Sequence, residues 1–108
     1  MLVVAPLLMM LAAAPSADAI GAARKAFAGC LSAQVQPSLD KKVPLGEFQG
    51  QLKKTCADKE AAFRAAILAQ DKADGMSDKD AQADADDQVS EYVDKIIGEY
   101  EEYNKPGT

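Results

Sequence analysis

Cys30 and Cys56 carry the most reactive side chains in this 108-residue sequence, and several chemistries are open to the first of them. Phe27-Ala28-Gly29-Cys30 is close to the motif at which bacterial lipoproteins are lipidated on cysteine. That modification requires an uncharged apolar run directly before the cysteine. Here Arg24 and Lys25 intervene, and Ala26 to Gly29 is too short to serve as a new run. A redox Cys-x-x-Cys pair is also absent, because 25 residues separate the two cysteines. An intramolecular disulfide is the expected outcome; an intermolecular bond and a reactive thiol pair are the remaining readings. Helical periodicity places Cys30 on a face with Phe27 and Leu31, and Cys56 on a face with Leu52 and Phe63. An antiparallel hairpin turning near position 43 brings the two together.

The second group of candidate residues is acidic. Asp80, Asp84, Asp87 and Glu91 recur at three- and four-residue steps and form one stripe of a helix. The expected role is an interaction face for a basic protein partner, against the plainer reading of a solvated helix surface. A weak divalent-cation site is a remote alternative. An EF-hand is not: with Gly75 at the sixth position of its loop, Gln70 falls first, Lys72 third and Ala81 twelfth, where carboxylates or their equivalents are needed. No histidine is present, which removes the commonest general base and transition-metal ligand. There is no glycine-rich phosphate loop, nucleophile elbow or zinc spacing, and every carboxylate is read onto a polar face or a turn. The sequence therefore predicts no catalytic, cofactor-binding or metal-ligating residue and no cofactor.

These residues must be positioned by helices, since no stretch shows the two-residue alternation of a strand. The first helix is expected over Ile20–Val35, with Ile20, Ala23, Phe27, Cys30 and Leu31 on its apolar face. Gln36 to Val43, with Pro37 followed by Pro44, reads as a linker carrying Leu39 against the bundle. A second helix is expected from about Pro44 to Ala73. Its apolar residues are Leu45, Phe48, Leu52, Cys56, Phe63 and Ile67, flanked by Ala66 and Leu68, with the Lys59 stem along the core edge. Gly75 is a natural stop in the left-handed conformation. Ser77 then caps a third helix whose inner face is Ala81, Ala85, Val89, Tyr92, Val93, Ile96, Ile97, Tyr100 and Tyr103. The three tyrosines are expected in the core or at its edge, the alternative being an exposed interaction patch near Ile97. The predicted fold class is all-α, a small three-helix bundle formed by a helical hairpin plus a third helix.

Leu2 to Ala14 is uncharged and nearly all apolar, and Ala17-Asp18-Ala19 places small residues at −3 and −1 of a cleavage site. Residues 1–19 therefore read as a secretory signal peptide, although no Lys or Arg precedes the apolar run. The expected organisation is signal peptide 1–19, a disulfide-stapled helical domain 20–104 and a flexible tail 105–108. Export to the periplasm or beyond places the two cysteines where they oxidise and leaves no stable membrane anchor once processed. Charge is uneven. Ile20 to Arg64 holds eight basic and four acidic residues, whereas Ala65 to Thr108 holds four basic and twelve acidic ones. The plainer reading is that the acidic helix packs beside the basic pair and the field partly cancels. A net charge of −5 for the chain argues against a general nucleic-acid binder, which needs a basic face to neutralise phosphates.

The whole plan resembles that of short exported helical proteins of Gram-negative bacteria, with a signal peptide, an Ala-rich helical body and two cysteines on neighbouring helices. That resemblance implies a periplasmic or secreted location and no particular activity. Cys56-Ala57-Asp58-Lys59-Glu60-Ala61-Ala62-Phe63 is loosely similar to the segment after the second cysteine in periplasmic acid-stress chaperones. Those are also small, helical and held by one disulfide. The functional expectation is a non-catalytic interaction module of the cell envelope, with a stress chaperone as the alternative.

Overall fold

The computed structural model describes residues 17–105; the apolar run Leu2–Ala14 and the last three residues of the expected tail lie outside them. Five helical segments make up the described chain: α1 Ala17–Ala33, α2 Val35–Asp40, α3 Leu45–Thr55, α4 Ala57–Ala73 and α5 Asp78–Tyr103. No strand occurs among the described residues. The all-helical expectation holds, while its division into three helices is finer-grained in the molecule.

Two differences from the expected layout have local causes. The stretch read as a linker contains α2. Its Pro37 is the third helical residue, within the first turn, where the backbone N–H groups have no intrahelical acceptor and proline is tolerated. The single long second helix is broken at Cys56, whose backbone lies at φ −102°, ψ 16°. The hydrogen-bond ladder passes through the break, with Cys56 N–H donating to the Leu52 carbonyl at 3.0 Å and Glu60 N–H to the Cys56 carbonyl at 2.9 Å. The break is therefore a kink between α3 and α4 at the disulfide residue. Pro44 precedes the first residue of α3 in extended conformation, as its cap rather than within its first turn.

One apolar core joins all the segments except α2 through buried side chains: Phe27 and Leu31 of α1, Phe48 and Leu52 of α3, Cys56 at the kink, Phe63 and Ile67 of α4, and Ala85, Val89, Ile96 and Tyr100 of α5. Leu39 of α2 packs half-buried against it. Phe27, Phe63 and Tyr92 form an aromatic cluster with ring centroids 5.8 to 6.5 Å apart, in tilted and edge-on arrangements. At the other end Tyr100 stacks on Phe48 with centroids 3.8 Å apart. Two positions depart from the expected faces. Lys59 is exposed, because Glu60 rather than Lys59 follows Cys56 on the inward side. Tyr103, the last residue of α5, is 65% exposed.

Small α2 is fixed by hydrogen bonds. Gln51 Nε2 of α3 donates to the Ser38 hydroxyl at 3.0 Å, and the Tyr100 hydroxyl of α5 donates to the Ser38 carbonyl at 3.2 Å and to the Val43 carbonyl. Ser38 itself is buried. The α4–α5 turn contains Gly75 at φ +94°, as expected, and Ser77 caps α5 by accepting from the Asp80 amide at 3.1 Å. The α2–α3 turn holds a non-glycine residue, Lys42, at φ 56°. These two turns give opposite expectations. Gly75→Ala, with open space around the added Cβ, loses about 1 kcal/mol through backbone strain alone. Lys42→Gly relieves strain of the same size, less the greater entropy of unfolded glycine, and leaves stability unchanged or slightly raised. Urea unfolding of both variants checks the pair.

Candidate functional site

The disulfide lies at the centre of the fold. Cys30 and Cys56 are bonded with their Cα atoms 5.9 Å apart, tying the C-terminal half of α1 to the α3–α4 kink. Cys56 is buried and Cys30 half-buried, so the pair staples helices rather than presenting a thiol. No helix among the described residues is long and apolar enough to cross a membrane.

α5 carries ten acidic residues and two lysines. Its predicted stripe falls on one flank: Asp80, Asp87 and Glu91 are exposed, while Asp84 is half-buried. Asp84 is set apart because it faces Asp71 of α4. Gln88 Nε2 donates to one Asp84 oxygen at 3.0 Å. Asp71 Oδ2 is sealed from solvent and has no hydrogen-bond partner among the described residues. Interaction with Asp84, burial, and repulsion from Asp74 together push the Asp71 carboxyl up from 3.8 to about 6. Asp71 thus corrects the expectation that every carboxylate lies on a polar face or in a turn. Its partnership was invisible to local pattern, because it depends on the register of α4 against α5 set by the Gly75 turn.

The opposite flank of α5 is held by Arg64 of α4. Its guanidinium donates to Glu60 at 2.9 Å and to Asp86 across the helix pair, and these two carboxylates raise its pKa further. Beyond this bridge an open groove of about 810 Å³ runs between α3, α4 and α5. Gly46, Gly50, Ala57 and Ala61 form one wall, and Val89, Val93 and Ile97 face them. Neither this groove nor the shallower one beside Tyr92 is lined by Asp71 or Asp84. Among the described residues no three acidic or cysteine side chains converge as metal ligands.

Among the described residues, Asp78 with Lys72 and Asp86 with Arg64 are the pairs that α5 carboxylates make to cations on another helix. The arrangement defines a small all-helical protein closed by one disulfide, with an acidic long helix on its surface. Compared with known proteins, the chain matches no family model, no curated protein and no solved structure.

Proposed function

We propose that the chain is an exported, non-catalytic interaction module that docks a basic protein partner on the acidic surface of α5. The observation that carries this reading is the helix's unneutralised charge: ten carboxylates against two lysines, with only two cross-helix ion pairs among the described residues. A field of one sign spread over seven turns raises the local concentration of a cationic partner and speeds encounter. Asp80, Asp87 and Glu91 are exposed, so an incoming Lys or Arg can reach their carboxylates from solvent. The disulfide and the apolar leader favour the cell envelope or the exterior as the place of action.

The test is capture from envelope extract by the oxidised chain at low and high salt, followed by association kinetics with the captured protein. The association rate is expected to fall steeply with salt. Asp80→Asn/Asp87→Asn/Glu91→Gln is expected to slow it about tenfold and flatten the salt dependence. A partner that binds the triple variant as fast as the native chain overturns the reading. Binding of a hydrophobic dye at about pH 2–3, with loss of near-UV signal, would favour the stress-chaperone alternative.

A further inference from the structure

We infer that the groove between α3, α4 and α5 is the contact surface of a symmetric dimer, filled by the same groove of a second copy of this chain. Its two walls differ in size and in charge. The α3–α4 wall offers Gly50 and Ala57, and its exposed cation is Lys53. The α5 wall offers half-buried Val93 and Ile97, and its exposed anion is Asp94. Lys53 and Asp94 belong to none of the ion pairs among the described residues. A Cβ built on Gly50 meets nothing within 4 Å, so the space above that glycine is open. Glycine is less favourable than alanine inside a helix, and no internal contact of this chain requires it here.

The heights of these residues are set by the helix register. Tyr100 stacks on Phe48 and Asp86 bonds Arg64, so α5 runs antiparallel to α3 and α4. Interpolation between those anchors at one helical rise per residue sets Asp94 level with Lys53, Ile97 with Gly50 and Val93 with Ala57, each to within about one turn. Each large residue thus has a small one at its own height on the opposite wall, and the acid has a base. A two-fold axis along the groove exchanges the walls and keeps the heights. It carries Gly50 and Ala57 of a second copy against Ile97 and Val93 of the first, and Lys53 against Asp94, with every contact made twice. Small residues admit close approach of the facing helix, and the half-buried apolar side chains become covered. Charge selects the occupant: a foreign helix of one sign meets a like charge on one wall, whereas a second copy pairs both rims. Asp80, Asp87 and Glu91 do not line the groove and stay uncovered, so the dimer is independent of the docking proposed for them.

Sedimentation equilibrium of the full oxidised chain tests the dimer. A net charge of −5 on each copy weakens it through long-range repulsion. A monomer–dimer equilibrium is nonetheless expected below about 1 mM. Gly50→Gln projects a side chain into the open groove and is expected to weaken association about tenfold, with far-UV helicity unchanged. Lys53→Asp and Asp94→Lys each set like charges against one another across the interface, and each is expected to weaken association about tenfold. Lys53→Asp/Asp94→Lys together are expected to restore it. Net charge alone predicts opposite effects for the two single reversals, since one makes the chain more acidic and the other less. The inference is overturned by a chain that is monomeric at about 1 mM, which leaves the groove to a foreign protein segment. It is equally overturned by a dimer that Gly50→Gln and both single reversals leave intact, or by an Asp94→Lys variant that associates more tightly than the native chain.

Discussion

Replacing the disulfide by Cys30→Ala/Cys56→Ala is expected to cost about 3–4 kcal/mol and lower the thermal midpoint by about 15–25 °C. The estimate follows from the loop that the bond closes. The cysteines are 26 residues apart, and a cross-link of that span removes entropy from the unfolded chain that folding would otherwise have to overcome. Small domains are stable by only about 5–15 kcal/mol, so the loss is a large fraction of the whole. Alanine is the informative replacement, because Cys56 is 1% exposed and serine would bury a hydroxyl there. Far-UV helicity below the transition should change little, since α1 and α4 remain joined by Phe27 and Phe63, and α3 and α5 by Phe48 and Tyr100. Comparing thermal unfolding of native, reduced native and double-alanine protein checks the figure. A fall below about 1 kcal/mol would show that helix packing alone supplies the constraint. Intact mass about 2 Da below the reduced chain confirms the bond itself.

The cysteine pairing was legible because both residues lie in phase with aromatic or aliphatic neighbours on amphipathic segments. The same periodicity correctly placed Phe27, Leu31, Phe48, Leu52, Phe63 and Ile67 in the core. Ser77 and Gly75 were legible because a cap and a left-handed stop depend on one residue's own chemistry. The kink at Cys56 was hidden: Phe48, Leu52 and Cys56 step by four and Phe63 and Ile67 resume the face, so the apolar phase carries no mark of a break. α2 was hidden by Pro37, which signals irregular chain unless it falls in the first turn of a helix. Tyr103 shows the converse error, since the apolar periodicity continues to the last residue of α5, whose side chain is exposed. The Asp71–Asp84 pair required knowing which residues of α4 and α5 stand side by side, and that is a property of tertiary register rather than of either helix.

Tyr100→Ala is expected to cost about 3–5 kcal/mol, the range for deleting a buried aromatic side chain. The residue is fully buried, 0% exposed, and combines two separable contributions. Its ring stacks on Phe48 with planes 10° apart, joining α5 to α3. Its hydroxyl donates to the Ser38 and Val43 carbonyls, joining α5 to α2 and to the turn that contains strained Lys42. Burial alone raises the phenol's pKa, so the hydroxyl keeps its donor proton across the physiological range. Tyr100→Phe isolates the second contribution. It keeps the stack but leaves the Val43 carbonyl without this donor, at an expected cost of about 1–2 kcal/mol. The Ser38 carbonyl still accepts from the Val43 amide at 3.0 Å, which moderates the loss. Guanidinium unfolding measures the two costs, and hydrogen exchange locates them. Tyr100→Phe should speed exchange at the Val43 amide selectively, because the turn is then held to the bundle by Gln51 and Ser38 with Leu39. If Tyr100→Phe leaves both stability and Val43 exchange at native values, α2 is anchored by the Gln51–Ser38 bond rather than by α5. The cost of Tyr100→Ala would then belong to the ring alone.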